Sequence, residues 1–209
     1  MGNAMDISSQ STGNGSFVLI RQINMQHCKT AAAHLSQQLT TLRQTYIYLL
    51  QEPYLYRGKI PGIPGGIANS HIPGNDSRTA IVCSRNLNLW FCPQFSDRDL
   101  TVCYWKGPLD GGGDIYLASA YMDIMATGVV SAKLQGLVAH CEVTKTKLII
   151  CADTNSHSTL WGSTEANRRG EKLEEFIFQN NLHVHNIGNL PTFVIVDLPL
   201  LSMLHSQKE

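Results

Sequence analysis

Apolar residues recur along this chain in short blocks, parted by polar stretches rich in Gly, Pro, Asn and Asp. Phe17-Val-Leu-Ile-Arg-Gln-Ile23 is nearly continuous and predicts a buried strand. From Lys29 to Gln44 the spacing changes: Leu35, Leu39 and Leu42 recur at i, i+4 and i+7, one face of a helix. Tyr46-Ile-Tyr-Leu-Leu50 predicts a second strand, closed by Gln51-Glu52-Pro53. Five Gly and three Pro then fill residues 57–77, a long loop for a compact domain. Thr79 to Cys83, Leu87 to Cys92 and Leu100 to Trp105 predict further short strands. Asp114 to Tyr121 adds another. Residues 128–142 carry Val130, Leu134, Leu137, Val138 and Cys141 on one helical stripe. Lys147-Leu-Ile-Ile-Cys151 predicts a buried strand. Leu173, Phe176 and Ile177 mark a third helix, and Leu182 to His185 a last strand.

Strands from 79 to 121 follow one another without helices between them, which argues against a doubly wound parallel sheet. The pattern predicts a mixed α/β fold in which two sheets pack face to face with helices outside. The first 16 residues are rich in Ser, Gly and Asn and predict a disordered tail.

Composition narrows the function classes. The chain has 209 residues, 43% of them hydrophobic, enough to bury a core. Lys and Arg total 16 and so do Asp and Glu, so no overall basic excess points to nucleic acid. A local patch remains compatible with DNA. No apolar run approaches the ~18 residues of a membrane span, and the polar N-terminus lacks the pattern of a signal peptide. An intracellular protein is the expectation. Six Cys are scattered with no CxxC spacing, which argues for reduced buried thiols and against a zinc site. Asp110-Gly-Gly-Gly-Asp114 lacks the Lys-Ser/Thr of a phosphate-cradling loop.

Candidate chemistry gathers where apolar strands end. Asp153 and Asn155 follow the strand at 147–151, the usual location of sites in α/β sheets. An Asp there can take a proton from water or hold a metal, and an Asn can donate to charge building on a phosphate. The same pair suits an Asx turn. Glu52 reads as a ligand for a hard cation or as a solvated carboxylate before a Pro stop. Asn24 ends the first strand, where turn chemistry is the common role. Tyr121 closes an apolar strand as a phenol able to reach a phosphate, or as a half-buried aromatic. Arg78 and Arg168-Arg169 could contact phosphates or simply be solvated.

In order and spacing, strand-Asn24, strand-Glu52-Pro, strand-Tyr121 and strand-Asp153-Thr-Asn155-Ser-His157 resemble the endonuclease/exonuclease/phosphatase superfamily. More narrowly, QEPY, RTAI, SAYMD, DTNSHSTLWGS, NRRGEKLEEFI and LPTF resemble the apurinic-type endonuclease domain of arthropod non-long-terminal-repeat retrotransposons. The resemblance runs from Phe17 to Phe193. It implies a four-layer α/β sandwich with a metal-dependent nuclease site where the two sheets meet. Carried over, Glu52 would bind Mg²⁺ or Mn²⁺ with Asn24 beside it, and Asp153 would orient or deprotonate the attacking water. Asn155 and Tyr121 would stabilise the phosphate. Apart from that carry-over, Arg78 and His157 are candidate contacts to phosphate or DNA. The nick would prime reverse transcription in the nucleus. No small-molecule cofactor or membrane is implied. A phosphatase of small phosphoesters would use the same scaffold.

The pattern departs from the family after Phe193. Asp197 matches the Asp of a family I-D-L strand across a short deletion, and is a further phosphate-contact candidate. No Ser-Asp-His occurs in the sequence. The resemblance therefore implies a family domain over 17–198, a non-family tail over 199–209, and a copy without its last strands. Such a copy would be a weak or intact metal-dependent DNA endonuclease, or a non-catalytic remnant that keeps the fold, poorly soluble because a sheet edge is left unpaired.

Overall fold

The computed structural model describes residues 18–106, 113–185 and 201–206, the last segment as backbone. In chain order the elements are β1 (Val18–Asn24), α1 (Lys29–Thr41), β2 (Thr45–Gln51), β3 (Ala68–His71), β4 (Thr79–Ser84), β5 (Leu89–Phe91) and β6 (Leu100–Trp105). Then follow β7 (Ile115–Tyr121), α2 (Ala132–Thr144), β8 (Lys147–Asp153), a short 3₁₀ turn (Thr159–Trp161), α3 (Arg168–Gln179), β9 (Leu182–Val184) and β10 (Leu201–Ser206). They form two mixed sheets, one ordered β1-β2-β4-β3 and the other β5-β6-β7-β8-β10-β9.

Strand alternation explains the layers, because successive side chains point to opposite faces. On the outer face of the first sheet, Leu19, Ile23, Tyr46, Tyr48, Leu50, Ala80 and Val82 pack against Ala32, Leu35 and Leu39 of α1. On its inner face, Ile20, Ile47, Leu49, Ile81 and Cys83 meet Cys103, Leu117, Ile149 and Cys151 of the second sheet. The outer face of that sheet sets Ala118, Leu148, Ile150 and Ala152 against Leu134, Leu137, Val138 and Cys141 of α2 and Leu173 and Ile177 of α3. The result is four layers: helix, sheet, sheet, helices.

The space between the sheets changes character along the strands. The apolar block ends where Gln22, Gln51, Thr79, Thr101 and Ser119 point inward, all buried. Such polar groups must be paired, since each costs stability when buried without a partner. Gln51 Nε2 donates to Ser119 Oγ (2.9 Å) and to the carbonyl of Cys151 (3.1 Å). Gln22 Nε2 donates to Gln51 Oε1 (3.1 Å) and to the carbonyl of Ala152 (3.2 Å). Ser119 Oγ donates to the carbonyl of Leu50 (2.7 Å), and Thr79 and Thr101 share a hydrogen bond of 2.8 Å. These bonds join the two sheets and fix their relative register.

The anticipated fold class is observed, with three differences of detail. Residues 57–77 are not all loop: Ala68–His71 forms β3, antiparallel to β4 at the sheet edge. A polar four-residue edge strand carries little hydrophobic signal. The first two helices end or begin a few residues from their apolar stripes, at Leu42 and at Ser131, whose hydroxyl accepts from the Leu134 N–H (3.2 Å). Residues 201–206, read as tail, form β10, parallel to both β8 and β9. The expected N-terminal tail and Asp197 lie outside the described residues. Five of the six cysteines are buried thiols and Cys28 is exposed. No helix among the described residues is long and apolar enough to cross a membrane.

Candidate active site

β1 and β2 run parallel in the first sheet, and β7 and β8 run parallel in the second. Asn24 pairs in register with Gln51, the residue before Glu52, and Tyr121 pairs with Asp153. Each candidate thus sits at the C-terminal end of a parallel pair. A hydrogen bond links the sheets at this end: Asn24 Nδ2 donates to Asp153 Oδ2 at 2.5 Å. Asn24 is itself held, because its Oδ1 accepts from the Gln26 N–H (2.8 Å).

Glu52 is 8% exposed and takes a φ of +47°, a left-handed conformation rare for a residue with a long side chain. Its backbone is tied at both ends: its N–H donates to the Arg78 carbonyl, and its own carbonyl accepts from the His27 N–H, both at 2.7 Å. His27 Nε2 stands 3.9 Å from Glu52 Oε1. Strain of this kind costs on the order of 1–3 kcal/mol and persists where the surroundings over-determine it.

Asp153 is almost fully buried, at 1% exposure. Its Oδ2 accepts from Asn24, and its Oδ1 accepts from the Asn155 N–H at 3.3 Å. Asn155 also has a positive φ, +47°, and its Nδ2 donates to the Met122 carbonyl (3.2 Å). The Asx-type contact expected of this pair is present, at the C-terminal end of β8.

Tyr121 is fixed from two sides. Its N–H donates to the Asp99 carbonyl (2.8 Å), and the Arg78 guanidinium lies 4.4 Å from its ring centroid, a cation–π contact. Arg78 in turn grips Asp99 through two bonds of 2.5 and 2.6 Å and Asp123 through one of 2.8 Å. The Asp99 hydrogen bonds hold the guanidinium charged above its ordinary range, and the bond from Arg78 holds the Asp123 carboxyl below its own. Arg78, read as a phosphate contact, is thus engaged with two carboxylates and one ring. His157 has an exposed side chain. Its backbone N–H donates to Asn167 Oδ1 (3.2 Å), and its carbonyl accepts from the Asn167 N–H (3.0 Å).

The rest of the DTNSHSTLWGS run shapes the loop. Ser158 Oγ accepts from the Leu160 N–H (2.9 Å) and donates to Glu174. Trp161 is buried, its Nε1 donating to the Ser156 carbonyl (3.2 Å), and Gly162 supplies a φ of +84°. Arg169 from α3 donates to the carbonyls of Met122, Asp123, Ile124 and Ala126. The sequence reading missed Gln22, Gln51, Asp99 and Asp123, and Arg169, read as a phosphate contact or a solvated side chain, is engaged with backbone carbonyls instead. One signal was available: Gln22 and Gln51 interrupt apolar strands at positions that face inward by alternation.

Glu52 and Asn24 offer hard oxygen donors. Among the described residues no group of three or more His, Cys, Asp and Glu gathers. A donor set this sparse in charge suits a hard cation that keeps most of its water, as Mg²⁺ does.

Comparison with known proteins bears on the fold and the family. Residues 115–206 match a family model described as endonuclease-reverse transcriptase. The fold is similar to the solved endonuclease domain of TRAS1, a telomere-specific non-LTR retrotransposon, with a TM-score of 0.63 and 26% identity. That similarity covers 83% of this chain and 75% of the other. No curated protein matches.

Proposed function

From a chain whose fold and family match support a retrotransposon endonuclease domain of the endonuclease/exonuclease/phosphatase superfamily, we propose that it hydrolyses phosphodiester bonds of DNA with a divalent cation. The observation that carries this reading is the Asn24–Asp153 hydrogen bond, which gathers the strand ends bearing Glu52, Asp153 and Asn155 at one edge of the sandwich.

Glu52 and Asn24 would hold Mg²⁺ or Mn²⁺. When bound, such an ion neutralises phosphate charge and helps the departing oxygen leave. Asp153 accepts hydrogen bonds on both oxygens, so its carboxylate is oriented before substrate arrives. A fixed carboxylate can align a water and take its proton. Asn155 and Tyr121 flank it with N–H and O–H donors for charge developing on the phosphate. The Arg78 contact keeps the Tyr121 ring from turning away. Nicking of this kind in target DNA would supply a primer end for reverse transcription.

The test is relaxation of supercoiled plasmid by the purified chain in Mg²⁺, with and without a chelator, beside Mg²⁺ titration calorimetry. Nicking that stops with the chelator, and cation binding that Glu52→Gln weakens at least about tenfold, are the expected results. Equal cation affinity in both proteins would remove Glu52 from the metal site.

A further inference from the structure

The loop after β7 exposes two adjacent apolar side chains, Ile124 at 60% and Met125 at 86%. Single exposed apolar residues are ordinary. These two differ because the backbone that carries them is anchored at Met122, Asp123 and Met125, with longer Arg169 contacts around it. Arg169 Nη2 donates to the carbonyls of Asp123 (3.0 Å) and Met122 (3.5 Å), and Nη1 to those of Ile124 (3.4 Å) and Ala126 (3.5 Å). Asp123 Oδ1 accepts from the Met125 N–H (2.9 Å), while its other oxygen is bound by Arg78. The Met122 N–H donates to the Asp153 carbonyl (2.8 Å), and the Met122 carbonyl accepts from Asn155. A mobile tip would lose entropy on contact, whereas a clamped one is organised beforehand. The clamp is built on the same residues that form the candidate site.

We propose that Ile124 and Met125 form an apolar wedge that presses on the base step beside the phosphate cut at Asp153. The inference rests on the nuclease reading above. Phosphates attract charged and polar donors, and an isoleucine and a methionine offer neither. The apolar surface nearest to a scissile phosphate is the stack of bases. Aliphatic side chains inserted there unstack the step and favour sequences that deform easily. The wedge would select where the chain nicks, while Asp153 and its partners act on the phosphate.

The experiment uses the full chain with a short duplex carrying 2-aminopurine, whose fluorescence rises on unstacking. Wild type is compared with the double variant Ile124→Ser, Met125→Ser, and DNA affinity is read by anisotropy. Nick positions are mapped on plasmid. Hydrolysis of bis(p-nitrophenyl) phosphate, which has no stacked bases, reports the hydrolytic site alone, and its loss in Asp153→Ala is the expected control result. The expected result is brightening by wild type, no brightening by the double variant, affinity about tenfold weaker and a less selective nick pattern. Equal brightening and equal nick positions in both proteins would overturn the wedge. So would a double variant that loses diester hydrolysis, which would put the loop inside the hydrolytic site. Self-association that the double variant abolishes, with DNA binding unchanged, would make the loop a protein interface instead. If Asp153→Ala leaves diester hydrolysis intact, the nuclease reading itself fails and the wedge falls with it.

Discussion

His71 ends β3 with its ring stacked on Phe91, centroids 6.4 Å apart, and its Nε2 buried without a partner. Burial pushes its pKa below 6.5. His185 is lowered as well, by burial first and by His183 second. A depressed folded pKa means that the unfolded chain binds the proton more readily. Stability is therefore complete above about pH 6.5 and falls as the pH drops through the window below it. Asp123, lowered by its bond to Arg78, has the same sign at more acid pH. The urea midpoint is expected to decrease from pH 7 to pH 5, and His71→Phe, which keeps the stack and removes the titration, to flatten that slope. An unchanged slope would place the sensitivity elsewhere. At this scale the strand-end positions of Glu52, Tyr121, Asp153 and Asn155 were legible because each ends or follows an apolar strand. The grip of Asp99 and Asp123 on Arg78 was not, since it joins residues 21 and 45 positions apart.

Two helical glycines show how an element meets its surroundings. A Cβ on Gly170, in the first turn of α3, would lie 1.8 Å from the His157 carbonyl oxygen and 2.7 Å from its carbon. Both atoms are backbone, so the helix or the loop carrying Asn155 must move. Gly136 in α2 has nothing within 4 Å of the same position. Gly170→Ala is expected to destabilise by about 1–3 kcal/mol, while Gly136→Ala gains about 0.5–1 kcal/mol from helix propensity. Thermal unfolding of the two variants should shift in opposite directions. A stable Gly170→Ala would contradict the tight seat of α3 on the site loop. The helices were legible from their stripes, whereas β3 was hidden in a run of Gly and Pro. Its place comes from pairing with β4 and not from local pattern.

Across the whole molecule, the inner faces of the two sheets pass from apolar, through neutral polar, to carboxylate and amide along the strands. The apolar part supplies the driving force and the polar part fixes register. At the end of this gradient stands a pair of strand ends joined by Asn24 and Asp153. The two-sheet architecture was legible from uninterrupted strand runs, and its four-layer form from a family resemblance. Strand order was not, because β4 lies between β2 and β3, and β10 between β8 and β9, pairings that alternation along one strand cannot reveal. The central claim is that this edge of the sandwich cleaves phosphodiesters through Asp153. It is tested most directly by the rate of supercoiled-plasmid nicking in Mg²⁺, wild type beside Asp153→Ala. The account predicts nicking by wild type that falls by at least about 10²-fold in the variant. Equal rates from the two proteins would contradict it.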